Sequence, residues 1–111
     1  MVNPQRPLAY GLAINLMDPA TSKVVHYDER DEQTGTMIEA KGPGFDGLLS
    51  FPEGFENVTN HWLDQGAREL QAAGPRQVIW YFAEDYAAEK ARELFADNGL
   101  GKIIVKVQHP V

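Results

Sequence analysis

The stretch Thr36-Met37-Ile38-Glu39-Ala40-Lys41-Gly42-Pro43-Gly44 decides how this chain is read. Its first six residues form a predicted buried strand, bounded by Gly35 before it and by Gly-Pro-Gly after it. Alternation along a strand puts Ile38 and Ala40 on one face and Met37, Glu39 and Lys41 on the other. A carboxylate and an ammonium two residues apart therefore point the same way, where the strand gives out into a Gly-rich loop. Such a pair suits a hard cation held by the carboxylate, with a lysine beside the water that the cation activates. Exposed strand faces carry the same Glu-x-Lys spacing without any chemistry, so the neighbouring segments have to decide.

Upstream, Lys23 to Asp28 is a predicted strand with Val25 and Tyr27 on one face and Val24, His26 and Asp28 on the other. The polar segment from Glu29 ends in Gln33-Thr34-Gly35, a hairpin connection. A turn centred near Gln33-Thr34 sets Asp28 opposite Glu39 to within about one residue of register. Two carboxylates then converge where Lys41 points. Like charges that close repel, so either a cation lies between them or one carboxyl keeps its proton. His26 shares the predicted face of Asp28, but the three histidines are far apart and show no ligand spacing. Leu8 to Met17 is apolar and predicted as a first strand, Gly11 weakening a helix there. Asp18 to Ser22 is a turn, and residues 1–7, with two prolines, are expected to lie extended. The abrupt start is that expected of a domain from a longer protein.

Downstream, Gly42 to Gly54 is predicted as a long loop whose Phe45, Leu48, Leu49 and Phe51 pack onto the body. The Gly-Pro-Gly turn could let a phosphate backbone approach, or could simply end the strand. Asn57 to Ala73 is a predicted helix with Val58, Trp62, Ala67 and Leu70 on its inner face and Gly74-Pro75 as its stop. Gln65, Arg68 and Glu69 are expected elsewhere around the turn. Gln77 to Ala83 is an almost continuous apolar run, the pattern of a central strand. A second helix spans Asp85 to Asn98, with Asp85 as N-cap and Ala87, Ala91, Leu94 and Phe95 inward, and Gly99 closes it. Lys102 to Val107 is a last strand on which Lys102 and Lys106 share a face. Trp62 and Trp80 are assigned to the core. The order β-β-β-α-β-α-β predicts an α/β (α+β) fold with a mixed central sheet flanked by helices.

The 111 residues suit one domain, and 43% hydrophobic content is enough to bury a core. No apolar run is long enough to span a bilayer. The absence of cysteine excludes disulfides and thiolate metal sites. Ten Lys/Arg against sixteen Asp/Glu give a formal charge of −6, which argues against binding nucleic acid through a broad basic surface. The balance fits an enzyme whose carboxylates hold a divalent cation, and it equally fits an acidic protein that blocks a basic partner.

The carboxylate that closes the second strand, followed by Glu-x-Lys on the third, resembles the restriction-endonuclease fold of the PD-(D/E)xK nucleases. The chain is similar above all to the toxin domains of that fold at the C-termini of bacterial polymorphic toxins and type VI secretion effectors. Tyr27-Asp28 and Thr34 to Phe45 carry the resemblance, with Gln65, Ala72 to Arg76, Ile79 to Glu84 and Ala91 to Phe95 extending it. It covers the chain from about Leu8 onward, leaving residues 1–7 as a preceding segment.

The resemblance implies that Asp28, Glu39 and the Ala40 carbonyl hold Mg²⁺, for which Mn²⁺ could substitute. It implies that Lys41 orients or deprotonates the attacking water, and that Gln65, with Arg68 beside it, supports the site or touches the substrate phosphate. It further implies a DNA substrate, a cognate immunity protein as partner, no membrane association, and delivery by a secretion system into the cytoplasm of a target bacterium. Three positions depart from the pattern. Glu29, with Asp31 close by, stands where glycine usually follows the metal-binding aspartate, so either acid could replace or supplement Asp28. Tyr81 stands where a histidine is frequent, and no opening helix is evident before Leu8. The competing reading is a catalytically inactive nuclease-fold binding module or an acidic immunity-type protein.

Overall fold

The computed structural model describes residues 14–17 and 24–110. Its elements run β1 Ile14–Met17, β2 Val24–Tyr27, β3 Glu29–Arg30, β4 Met37–Lys41, α1 Phe45–Leu49, α2 Pro52–Ala73, β5 Val78–Phe82, α3 Asp85–Asp97 and β6 Ile104–Val107. The expected segment 1–7, the predicted strand residues 8–13 and the turn at 18–22 lie outside the described residues.

The apolar run of β5 lies inside a four-stranded mixed sheet of order β3-β4-β5-β6. β4 and β6 flank β5 in parallel, while β3 returns antiparallel on β4. Parallel neighbours need a crossover, which α1 and α2 supply before β5 and α3 supplies before β6. β1 and β2 form a separate antiparallel pair. The described residues thus form a small α/β domain with a four-strand mixed sheet and three helices. In register, Glu39 lies beside Trp80 and Trp80 beside Val105. One face of the sheet accordingly carries Met37, Glu39, Lys41, Val78, Trp80, Phe82 and Val105, and α2 and α3 cover it. Trp80 meets Phe95 of α3 edge-on at 5.0 Å, and Phe82 meets Trp62 of α2 edge-on at 5.2 Å. Both tryptophans are fully buried.

Several sequence expectations need correction. The predicted loop 42–54 contains α1 and the first turn of α2. Pro52 does not delay α2: its fixed φ and missing N–H suit the first helical position, so the helix begins five residues before Asn57. Phe45 and Leu49 pack inward, whereas Leu48 and Phe51 are exposed. The inner face of α2 is Val58, Thr59, Trp62, Gly66, Glu69, Ala72 and Ala73, with Ala67 exposed. Gly66 occupies that face because a Cβ there would come within 2.9 Å of Ile103 Cδ1 and 3.1 Å of Phe95 Cε1. Glu84, not Asp85, holds the N-cap position of α3 and makes no capping bond there. Asp46 Oδ1 instead accepts the Ala87 N–H at 2.8 Å. β6 begins at Ile104, so Lys102 precedes the strand.

Candidate active site

The register of β3 on β4, Glu29 opposite Ile38 and Arg30 opposite Met37, extended by one residue puts Asp28 opposite Glu39. Asp28 is where the chain bends out of β3 into β2, leaving the sheet for the pair with β1. Its side chain fills the gap that the departing strand leaves. The Asp28 N–H donates to the Ile38 carbonyl at 3.0 Å, and Asp28 Oδ2 accepts the Ala40 N–H at 2.7 Å. The N–H and C=O of one strand residue point to the same edge. The Ala40 carbonyl therefore faces the edge where Asp28 stands.

Glu39 and Lys41 share the face under α2, as alternation requires, and are 7% and 9% exposed. Lys41 Nζ lies 3.8 Å from Glu39 Oε2, 2.8 Å from Gln65 Oε1 and 4.8 Å above the Trp80 ring. Gln65 reaches the site because α2 turns it inward with Trp62 and Glu69. Its Nε2 donates to Glu69 Oε2 at 2.8 Å. Glu69, wholly buried, also accepts the Trp80 Nε1–H on Oε1 at 3.1 Å, and its backbone carbonyl accepts the Tyr27 hydroxyl.

Three carboxyl groups and one amine thus meet in a poorly hydrated place. Burial, then the hydrogen bond with Asp28 and the charge of Glu69, push the Glu39 carboxyl well above the usual range, with Lys41 opposing. Burial also pushes Glu69 up, against hydrogen bonds with Glu39, Gln65 and Trp80 that hold it down. Both carboxyls are therefore pushed toward holding a proton, and burial acts on Glu39 with the support of its two acidic neighbours. Among the described residues, no three His, Cys, Asp or Glu side chains are arranged to hold a metal ion. Both Glu69 oxygens accept hydrogen bonds from Gln65 and Trp80, and the other two carboxyls are those of Asp28 and Glu39. Those two carboxyls and the Ala40 carbonyl form an all-oxygen donor set, suited to a hard cation that keeps most of its waters. A cation bound there would oppose the rise in these carboxyls and displace any proton they hold.

No family model matches the chain, and no curated protein and no solved structure matches it either. The geometry alone carries the site.

The remaining candidates fall away from this centre. Arg68 lies on the exposed side of α2, paired with Asp64 Oδ2 at 2.9 Å. Glu29 is opposite Ile38 and so belongs to the other face of the sheet. Asp31 borders a cavity there with Thr36, Tyr81 and Lys106. Tyr81, the position where a histidine is frequent in similar nucleases, thus faces away from Lys41. The His26 side chain lies outside the described residues, His61 is exposed, and His109 contacts Ala83 and Asp85. The Gly42-Pro43-Gly44 turn is clamped, since Glu84 Oε1 accepts the Gly44 and Asp46 N–H groups at 2.9 and 3.2 Å. A phosphate would meet a carboxylate there, so the strand-ending reading of that turn stands. Sequence reasoning missed Glu69. An acid four residues after Gln65, in phase with Trp62, was the available signal.

Proposed function

We propose that this chain is a metal-dependent nuclease domain of restriction-endonuclease-like fold, a toxin that hydrolyses phosphodiester bonds of DNA in a target bacterium. One observation carries the reading: Asp28 and Glu39, on the two arms of one hairpin, lie opposite each other, with Lys41 Nζ 3.8 Å from Glu39 Oε2. Asp28, Glu39 and the Ala40 carbonyl would hold Mg²⁺ or Mn²⁺. Such an ion supplies a water acidic enough to attack at neutral pH and neutralises charge on the phosphate. Lys41 donates to the attacking water or the phosphate oxygen and adds a second positive group where charge develops. Gln65 holds the Lys41 amine in place. Delivery by a secretion system and neutralisation by a cognate immunity protein belong to the same proposal.

The test is plasmid cleavage in Mg²⁺ against EDTA, for the wild type and Lys41→Ala. Cleavage only in Mg²⁺ and abolished by the substitution is expected; cleavage in EDTA, or untouched by the substitution, overturns the mechanism. The burial of Glu39 and Lys41 favours a second reading, a polar network in a non-catalytic acidic binding module. Expression in a bacterial cytoplasm separates the two, because a nuclease kills and a binding module does not.

A further inference from the structure

We infer that Glu69 is a positioning residue for Lys41, acting through the orientation of the Gln65 amide. A primary amide has one donor end and one acceptor end. Gln65 lies between a carboxylate and an amine, with Nε2 2.8 Å from Glu69 Oε2 and Oε1 2.8 Å from Lys41 Nζ. Turned over, it would set a carbonyl oxygen against a carboxylate oxygen and an NH₂ against an ammonium, two repulsive contacts for two hydrogen bonds. Glu69 is itself fixed, since the donor-only indole N–H of Trp80 takes its other oxygen at 3.1 Å. The face of that same Trp80 ring lies 4.8 Å from Lys41 Nζ. Trp80, Glu69 and Gln65 thus form a closed relay that begins and ends at Lys41. The Glu69 carboxyl also hydrogen-bonds with Glu39, and its path to Lys41 runs through Gln65.

The inference rests on the nuclease reading for its functional meaning and is tested with four variants. In Glu69→Gln, the new amide must give its oxygen to the Trp80 N–H and its NH₂ to Gln65. Gln65 then turns over and presents NH₂ to Lys41. The paired swap Gln65→Glu with Glu69→Gln satisfies every donor again: Trp80 N–H to the new amide oxygen, the amide NH₂ to the new carboxylate, and the Lys41 amine to that same carboxylate. Cleavage kinetics should show kcat lowered at least about tenfold in Glu69→Gln with KM nearly unchanged, as for an interaction that matters at the transition state. The swap should restore kcat to within about threefold, which a merely structural role would not do. Gln65→Met should lower kcat as Glu69→Gln does, and adding Glu69→Gln to it should lower kcat no further.

A folded Glu69→Gln with wild-type kcat, or a folded swap no faster than Glu69→Gln, overturns the inference. If the wild type does not cleave DNA at all, the nuclease reading fails by itself. The relay is then read by the side-chain amide signal of Gln65 and the indole signal of Trp80 in a ¹H–¹⁵N spectrum. A Gln65 amide signal that shifts and exchanges faster in Glu69→Gln supports the arrangement, and one that does not move overturns it.

Discussion

Two tryptophans buried to the same extent should respond differently to the same substitution. Trp62 and Trp80 are both 0% exposed, and each loses the same ring when changed to Phe. The volume lost and the cavity left are therefore comparable. Their indole N–H groups differ. Trp80 Nε1 donates to Glu69 Oε1, whereas Trp62 Nε1 is buried with no hydrogen-bond partner among the described residues. Trp80→Phe deletes a hydrogen bond to an acidic group and strands a buried oxygen, about 1.5–3 kcal/mol beyond the cavity term. Trp62→Phe removes an unsatisfied donor, which offsets part of its cavity cost by roughly 1 kcal/mol or more. Phe at either position keeps an aromatic face, so Lys41 retains a ring beneath it in the Trp80 variant. The expected gap between the two variants is at least about 2 kcal/mol, Trp80→Phe being the less stable. Urea unfolding at neutral pH in EDTA, with m-values shown to be equal, measures it directly. Losses equal to within about 0.5 kcal/mol, or a larger loss for Trp62→Phe, would refute the assignment of the Trp80–Glu69 bond.

Three further outcomes follow from the same contacts. Glu39 and Glu69 hold their protons more tightly folded than unfolded, so their contribution is complete below the ordinary glutamate value of 4.5 and is lost as pH rises through their raised folded values. Unfolding free energy in EDTA should fall with rising pH by up to about 1.4 kcal/mol per pH unit for each proton held, both groups contributing between about pH 5 and about pH 7 and Glu39 alone above that, up to about pH 10. Glu39→Gln should flatten that fall, and an unchanged slope would dismiss Glu39 as the proton holder. Asp28→Asn keeps an oxygen for the Ala40 N–H but not the charge, so folding should change by less than about 1 kcal/mol. The Mg²⁺ needed for half-maximal cleavage should rise about tenfold or more, and an unaltered requirement would remove Asp28 from the cation site. Gly66→Ala should cost about 1–3 kcal/mol in urea unfolding, because its methyl group has no room between Ile103 and Phe95. A loss below about 0.5 kcal/mol would mean that α2 and α3 approach less closely than described.

The half of the site built on strands was legible from sequence. Period-two alternation fixes which residues share a face, and a short turn fixes register, so Asp28, Glu39 and Lys41 could be brought together on paper. The departure of β2 from the sheet at Asp28 could not, because a bend needs no distinctive residue and Glu29 continues the strand pattern on either side. The start of α2 was missed for a related reason: proline reads as a stop inside a helix but as a start at its first position, and only the chain before it tells which.

Glu69 was illegible because the rule that finds an inner helix face counts apolar residues, and it assigns an acid to solvent. Taken by phase alone, Val58, Trp62, Gln65, Glu69 and Ala73 make one stripe, and the apolar Ala67 is the residue out of step. Burying two polar side chains on such a stripe costs several kcal/mol unless every donor and acceptor is matched. Here Gln65 and Glu69 are bonded to each other, Gln65 to Lys41, and Glu69 to Trp80 and Glu39. A helix surface chosen for stability alone would have apolar side chains at these two positions. The polar pair opposite a buried Glu-x-Lys is therefore better explained by what it does to Lys41 than by what it contributes to folding. That is why the swap of Gln65 and Glu69, which conserves composition and hydrogen bonds alike, discriminates more sharply than deleting either one.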